Sequence, residues 1–115
     1  MKAFRPRLRP ELLDDLAEAF VWYEERAEGI GQALVRAFFA AVALATRQPL
    51  LYRNVHGEFR RVLLRRYPYW LYYIVEGDEV VFFLFYPAKR DPARIGRILS
   101  RRQTGGGQIQ VSGEG

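Results

Sequence analysis

Four guanidinium groups fall within seven positions of this chain, at Arg60, Arg61, Arg65 and Arg66. A second basic run, Lys89, Arg90, Arg94, Arg97, Arg101 and Arg102, is opposed only by Asp91. Planar guanidinium forks pair with phosphate and carboxylate oxygens. Both runs therefore point to an acidic partner, either nucleic acid or an acidic peptide. Adjacent residues of a strand face opposite sides of a sheet. Arg61 and Arg65 share a parity and are expected on the side away from the helices, with Val62 and Leu64 facing the core. Charge on an edge strand also guards against aggregation, and the residues alone leave both roles open.

Between the two runs, YPYWLYYIVEGDEVVFFLFYP concentrates Tyr69, Trp70, Tyr72, Tyr73, Phe82, Phe83, Phe85 and Tyr86. Alternation puts Trp70, Tyr72 and Ile74 on one face and Tyr69, Leu71, Tyr73 and Val75 on the other. One face must pack on helices. The second either exposes aromatics for base stacking or peptide docking, or is covered by a C-terminal helix. Lys89, Arg90 and Arg94 cluster where the last strand gives way to that helix, which suggests an anion site at its amides; capping by Asp91 is the competing use of those amides.

Catalysis finds less support. Metal-free phosphodiester cleavage needs a base, a cation at the phosphate and an acid for the leaving group. Cations abound, but His56 is the single histidine and reads as incidental in a loop before Gly57. Glu58 and Tyr67 have no partner to support them. No paired carboxylates accompany the basic runs, so two-metal chemistry is not indicated, and no phosphate loop or Ser-His-Asp set is present. The chain has no cysteine, which excludes Cys-ligated zinc and thiol nucleophiles and fits a reducing compartment. No metal and no cofactor are expected.

The elements that must position these side chains follow from periodicity. Residues 3–8 read as an edge strand. A helix is expected from Pro10 to Arg26, with Pro10 at its first position and Leu13, Leu16, Phe20 and Tyr23 on one stripe. A second spans Gly31 to Arg47, carries Leu34, Phe38, Ala41, Val42 and Ala45, and stops at Pro49. Together they form an antiparallel hairpin. Strands are expected over Leu51–Val55, Phe59–Arg66, Tyr69–Val75 and Val80–Tyr86, with a turn at Gly77. A short helix over Pro92–Leu99 is capped by Asp91. The fold class is α+β: a hairpin on a mainly antiparallel sheet of four or five strands.

At 115 residues the chain has room for one domain, set at 1–102. Residues 103–115 hold five glycines and are expected to be a flexible tail. Residues 1–50 carry seven basic and seven acidic side chains, so the whole net charge of +5 comes from the second part. Val80–Ala88, the longest strongly apolar stretch, is too short to span a bilayer. Cytoplasmic residence and no membrane partner are the expectation.

Residues 57–97, GEFRRVLLRRYPYWLYYIVEGDEVVFFLFYPAKRDPARIGR, resemble the C-terminal half of the RelE/ParE superfamily of toxins from bacterial toxin–antitoxin systems. The preceding half resembles its helical hairpin, including Trp22-Tyr23-Glu24, Gly29, Phe38 and Pro49. The resemblance covers residues 3–102, and its most specific features are the arginine pair, Pro68-Tyr69, the aromatic strand and Arg90-Asp91-Pro92, in that order.

It implies a cognate antitoxin and one of two activities. RelE-like members cut messenger RNA in the ribosomal A site; ParE-like members poison DNA gyrase and are not nucleases. On the RelE pattern, Arg61 falls at one of two strand lysines and Leu63 at the other. Trp70 takes the place of a key arginine, Arg90 matches the arginine after the last strand, and Gly96 stands where a tyrosine is expected. Arg61 and Arg90 would be the catalytic cations of a nuclease. The Pro68-Tyr69-Trp70 version looks closer to the ParE-like branch, which makes gyrase the expected target and the ribosome with its mRNA the alternative. A degenerate member that keeps only partner binding is a third possibility. Arg60, Arg61, Arg65, Tyr69, Trp70, Lys89, Arg90 and Arg94 are the expected target- or antitoxin-binding residues, with Arg61, Arg65 and Arg90 nearest the antitoxin.

Overall fold

A computed structural model describes the backbone of residues 3–114 and the side chains of residues 3–104. Strand β1 (Arg5–Leu8) leads into helix α1 (Pro10–Glu24) and helix α2 (Ile30–Arg47). A 3₁₀ turn at Pro49–Leu51 precedes β2 (Asn54–His56), β3 (Phe59–Leu63), β4 (Tyr69–Glu76) and β5 (Glu79–Pro87). A second 3₁₀ turn, Pro92–Arg94, opens into α3 (Ile95–Glu114). The five strands form one sheet in the order β1-β5-β4-β3-β2, antiparallel except for the β1–β5 pair.

Pro10 fills the first turn of α1, where a missing N–H costs nothing. Leu12, Leu16 and Ala19 are its buried positions, and Leu13 is exposed; the stripe is rotated by one residue from the expected one. Between the helices Glu24 does the capping: its carboxylate accepts from the amides of Gly29 (2.8 Å) and Gly31 (2.9 Å). All five residues expected on the α2 stripe are buried. Among the described residues, α2 is the one helix with the length and composition to cross a membrane, a test that a core helix also passes.

The sheet separates two cores. On one side α1 and α2 pack on Val62, Leu64, Leu71, Tyr73, Phe82 and Phe85. On the other, Ile95 and Leu99 of α3 pack on Phe59, Tyr72, Ile74, Val81, Phe83, Leu84 and Tyr86. The alternation along β4 is the expected one. In β5 a bulge intervenes, since Tyr72 pairs with Leu84 but Tyr73 with Phe82, which leaves Phe83 extra and turns it and Leu84 toward the same core.

Arg5–Leu8 covers the edge of β5 only as far as Phe82. Beyond it, the Phe85 amide donates to Asp15 and the Phe83 carbonyl accepts from Arg102, while Asp15 and Arg102 form a bidentate pair at 2.7 and 3.0 Å. This cluster ties α1 and α3 around the bulged edge. Burial works against the Arg102 charge, but the Asp15 hydrogen bond and the neighbouring carboxylates outweigh it and raise its pKa.

Three expectations change here. β3 ends at Leu63 and Arg66 has a positive φ of 74°, so strand parity does not extend to Arg65. The first short strand lies at Asn54–His56, because Pro49–Leu51 forms a turn. Finally, α3 is longer than Pro92–Leu99 and its backbone is helical to Glu114, across the glycine-rich segment; Gly115 and the side chains of 105–115 lie outside the described residues.

Candidate functional site

On the α3 side of the sheet, Trp70 is the ring left half-open, and cations flank it and the buried Tyr86 beside it, forming a row. Arg61 sits on β3 with its guanidinium carbon 3.6 Å from the centroid of Trp70, and it donates to the Tyr72 hydroxyl at 3.2 Å. Trp70 is the β-register neighbour of Tyr86. Arg90 lies 5.6 Å from the Tyr86 ring, whose hydroxyl donates to the Asp91 carbonyl at 2.8 Å. Two cations thus bracket a Trp–Tyr pair. Cation–π contacts of this kind contribute about 0.5–2 kcal/mol and hold guanidinium planes ready for an acidic group.

Arg61 also lines an open cleft of about 600 Å³ with Arg53, His56, Tyr72 and the start of α3. No acidic residue lines it. The imidazole of His56 occupies the space over Gly96: a Cβ there would stand 2.6 Å from His56 Cε1. A side chain at residue 96 would have to displace this histidine of β2.

A second cavity, about 490 Å³, opens at the other end of the sheet between α1 and the β4 and β5 ends. Tyr69, Lys89 and Arg90 face Glu18, Trp22 and Tyr23 across it. Tyr69 stacks on Phe85 at 4.4 Å. Burial, then the neighbouring Tyr23, push its hydroxyl pKa up, and Arg90 pulls it partly back.

The expected site residues therefore fall into separate places. Arg61, Trp70 and Arg90 share the row, while Tyr69 and Lys89 belong to the α1 cavity, which Arg90 also borders. Arg61 and Arg90, the cation pair of the nuclease reading, line different cavities. Arg60 points to the helical side and donates to the Tyr52 carbonyl, so it fastens the β2 approach. Arg65 leaves the Arg61 face and lines a groove against α2. Arg94 is exposed in the 3₁₀ turn, lines none of these cavities, and the carboxylate of Asp91 already caps that turn at the Ala93 amide, 2.9 Å away. The anion site there is taken by the chain itself. The wider stacking platform also closes, since Tyr72, Phe83 and Tyr86 lie under α3.

Arg53 enters the site without a sequence signal, while His56 reads in the sequence as incidental and Tyr86 as one ring of the aromatic segment. His56 meets Gly96 across forty positions of chain, and only the paired absence of a side chain at 96 hints at it. Among the described residues no group of three or more His, Cys, Asp or Glu is placed to hold a metal.

A family model described as the ParE toxin of the type II toxin-antitoxin system, parDE, matches residues 7–104. That span runs from the second half of β1 to the packed part of α3, and the chain belongs to this family. Among solved structures it is similar to a chain of the "Chromosomal ParDE TA system from P. aeruginosa", with TM-score 0.69 and 13% identity, covering 76% of this chain and 98% of that one. At that identity the likeness speaks for the fold. Comparison with curated proteins finds no match.

Proposed function

We propose that this toxin arrests growth by binding DNA gyrase through Arg61, Trp70 and Arg90, with the buried Tyr86 behind them, and that a cognate antitoxin holds it inactive in the cytoplasm. Trp70 carries the choice of target. It stands where RelE-like members have a key arginine, and the nearest strand cation, Arg61, is stacked on its ring. A developing phosphorane at that point would meet an indole rather than a guanidinium, a loss of a few kcal/mol of transition-state stabilisation. A stacked cation–aromatic surface suits binding better than phosphoryl chemistry.

The cleft gives a specific reason to keep the ribosome-dependent mRNA endonuclease as a second reading. His56 and Arg61 line it together with Arg53, unopposed by any carboxylate, so a base and two cations share one site. Expression of the chain alone in a bacterial host separates both from a non-toxic member: growth arrest is expected, and normal growth would overturn toxicity. In extracts of the arrested cells, relaxed plasmid with intact mRNA supports gyrase; cleaved mRNA with normal supercoiling supports the endonuclease and overturns the first reading.

A further inference from the structure

The cavity of about 490 Å³ between α1 and the ends of β4 and β5 takes no part in the proposed gyrase contact except through Arg90. Its volume falls among those of small-molecule sites, about 300–1,000 Å³. Groups of three different chemistries meet in it. Trp22 is 49% exposed on α1, and the Arg26 guanidinium holds its ring from one side at 3.4 Å. An indole fixed by a cation and half open to water is a platform on which a flat ring can stack.

Lys89 and Arg90 border the same cavity just after β5. Among the described residues Lys89 has no ion pair and no side-chain hydrogen bond. The Arg90 guanidinium lies 5.6 Å from the Tyr86 ring and has no carboxylate partner. An ammonium and a guanidinium side by side suit a phosphate chain, which brings more charge and more oxygens than one carboxylate. The Tyr69 hydroxyl also has no partner in the protein, and burial keeps its proton in place as a donor.

On the opposite wall α1 supplies Asp15 and Glu18. Asp15 is committed to Arg102 and the Phe85 amide. Glu18 is exposed, and no ion pair joins it to Lys89 or Arg90 across the cavity. A carboxylate accepts hydrogen bonds and donates none. Guanine offers it adjacent donors, N1–H and the N2 amino group, on one edge. Adenine, cytosine and uracil set an acceptor beside the donor instead.

We infer that this cavity binds a free guanine nucleotide, with the base on Trp22, its donor edge at Glu18 and its di- or triphosphate on Lys89 and Arg90. The inference is independent of the choice between gyrase and mRNA as target. Because Arg90 also belongs to the proposed gyrase contact, occupancy of the cavity and target binding draw on the same guanidinium.

The test is calorimetry on the full chain with GDP, GTP, ADP, pyrophosphate and a guanine-containing single-stranded RNA oligonucleotide. GDP and GTP are expected to bind, with ADP and pyrophosphate weaker by about tenfold or more. Lys89→Glu should weaken GDP about tenfold or more, and Glu18→Gln should bring GDP and ADP within about threefold of each other. Both positions are exposed, so the core is untouched. Arg101→Glu makes the same charge change on α3, outside the cavity, and should alter GDP affinity less than about threefold. Trp70→Phe leaves Trp22 as the single tryptophan of the chain, and GDP should quench its emission.

No binding of GDP or GTP at about 1 mM overturns the inference. Equal affinity for ADP or for pyrophosphate also overturns it, since the cavity is then an unselective anion patch. Tighter binding of the oligonucleotide than of GDP would replace the free nucleotide by a nucleic acid strand. Heat of GDP binding with Trp22 emission unchanged would put the nucleotide elsewhere on the molecule.

Discussion

Gly31 and Gly96 are both close to other side chains, yet the two approaches differ in what must give way. A Cβ at Gly31 would stand 2.7 Å from the Phe20 ring and 2.9 Å from the Glu24 carboxylate that caps α2. Gly31→Ala should therefore cost about 1–3 kcal/mol, as overpacking does, read as a lower denaturant midpoint at unchanged slope. At Gly96 the obstacle is the imidazole of an exposed edge-strand histidine, which can swing outward. Gly96→Ala should be within about 1 kcal/mol of the parent, because the gain in helix propensity offsets the lost contact, while the His56 resonances shift. Tyr73 shows a different constraint. Its buried hydroxyl donates to the Pro49 carbonyl at 2.6 Å. Burial, with Tyr52 adding and Arg60 subtracting, raises its pKa well above the ordinary 10.0. The folded state holds this proton more tightly than the unfolded chain, so the contribution is full below pH 10.0 and lost as pH rises above it. Tyr73→Phe should lower stability by about 1 kcal/mol at neutral pH and make the decline above pH 10.0 shallower, as urea titrations across that range would read. Strand alternation reveals that Tyr73 faces the helices. It cannot reveal the Pro49 carbonyl, which lies 24 residues away.

At the scale of elements, the bulged edge of β5 is the joint on which both helical layers depend. Asp15 and Arg102 are 16% and 19% exposed, and between them they satisfy Phe85 N–H and Phe83 C=O. Asp15→Ala would strand a mostly buried guanidinium and an amide. A loss of about 3 kcal/mol is expected, with faster hydrogen exchange in both α3 and the second half of β5; a loss under about 1 kcal/mol would show that the joint is dispensable. The sequence makes the helices and β4 and β5 legible because each has a stripe or an alternation of its own. It does not make this joint legible, since Asp15 reads as a solvated carboxylate and Arg102 as one more arginine near the end. The Arg65 misplacement has a similar cause. RRVLLRR continues the strand pattern to the eye, but the chain leaves the sheet after Leu63, and Arg66 turns through a positive φ that no local propensity announces.

For the molecule as a whole, the two cores assign different duties to the two ends of the chain. α3 covers the second face of the sheet through Ile95 and Leu99 and is fastened at Arg102, which also accepts a hydrogen bond from Arg9 at its carbonyl. We propose that the folded unit ends there. Truncation after Thr104 should keep cooperative unfolding and the melting temperature within a few degrees; truncation after Ala93 should expose Phe59, Tyr72 and Ile74 and abolish cooperativity or cause aggregation. Loss of cooperativity on truncation after Thr104 would make the glycine-rich segment part of the fold. The same division arranges the charge: an uneven +5 resolves into the α3-side row and cleft, the α1 cavity and the α2 groove, which the linear order of arginines does not separate. The account stands most directly on gyrase supercoiling in the presence of the purified chain. Inhibition that is saturable, lost in Arg61→Glu and Trp70→Ala, and retained in Arg65→Glu is the expected result. Undiminished supercoiling at every concentration, from a preparation that cleaves mRNA on ribosomes, would contradict it.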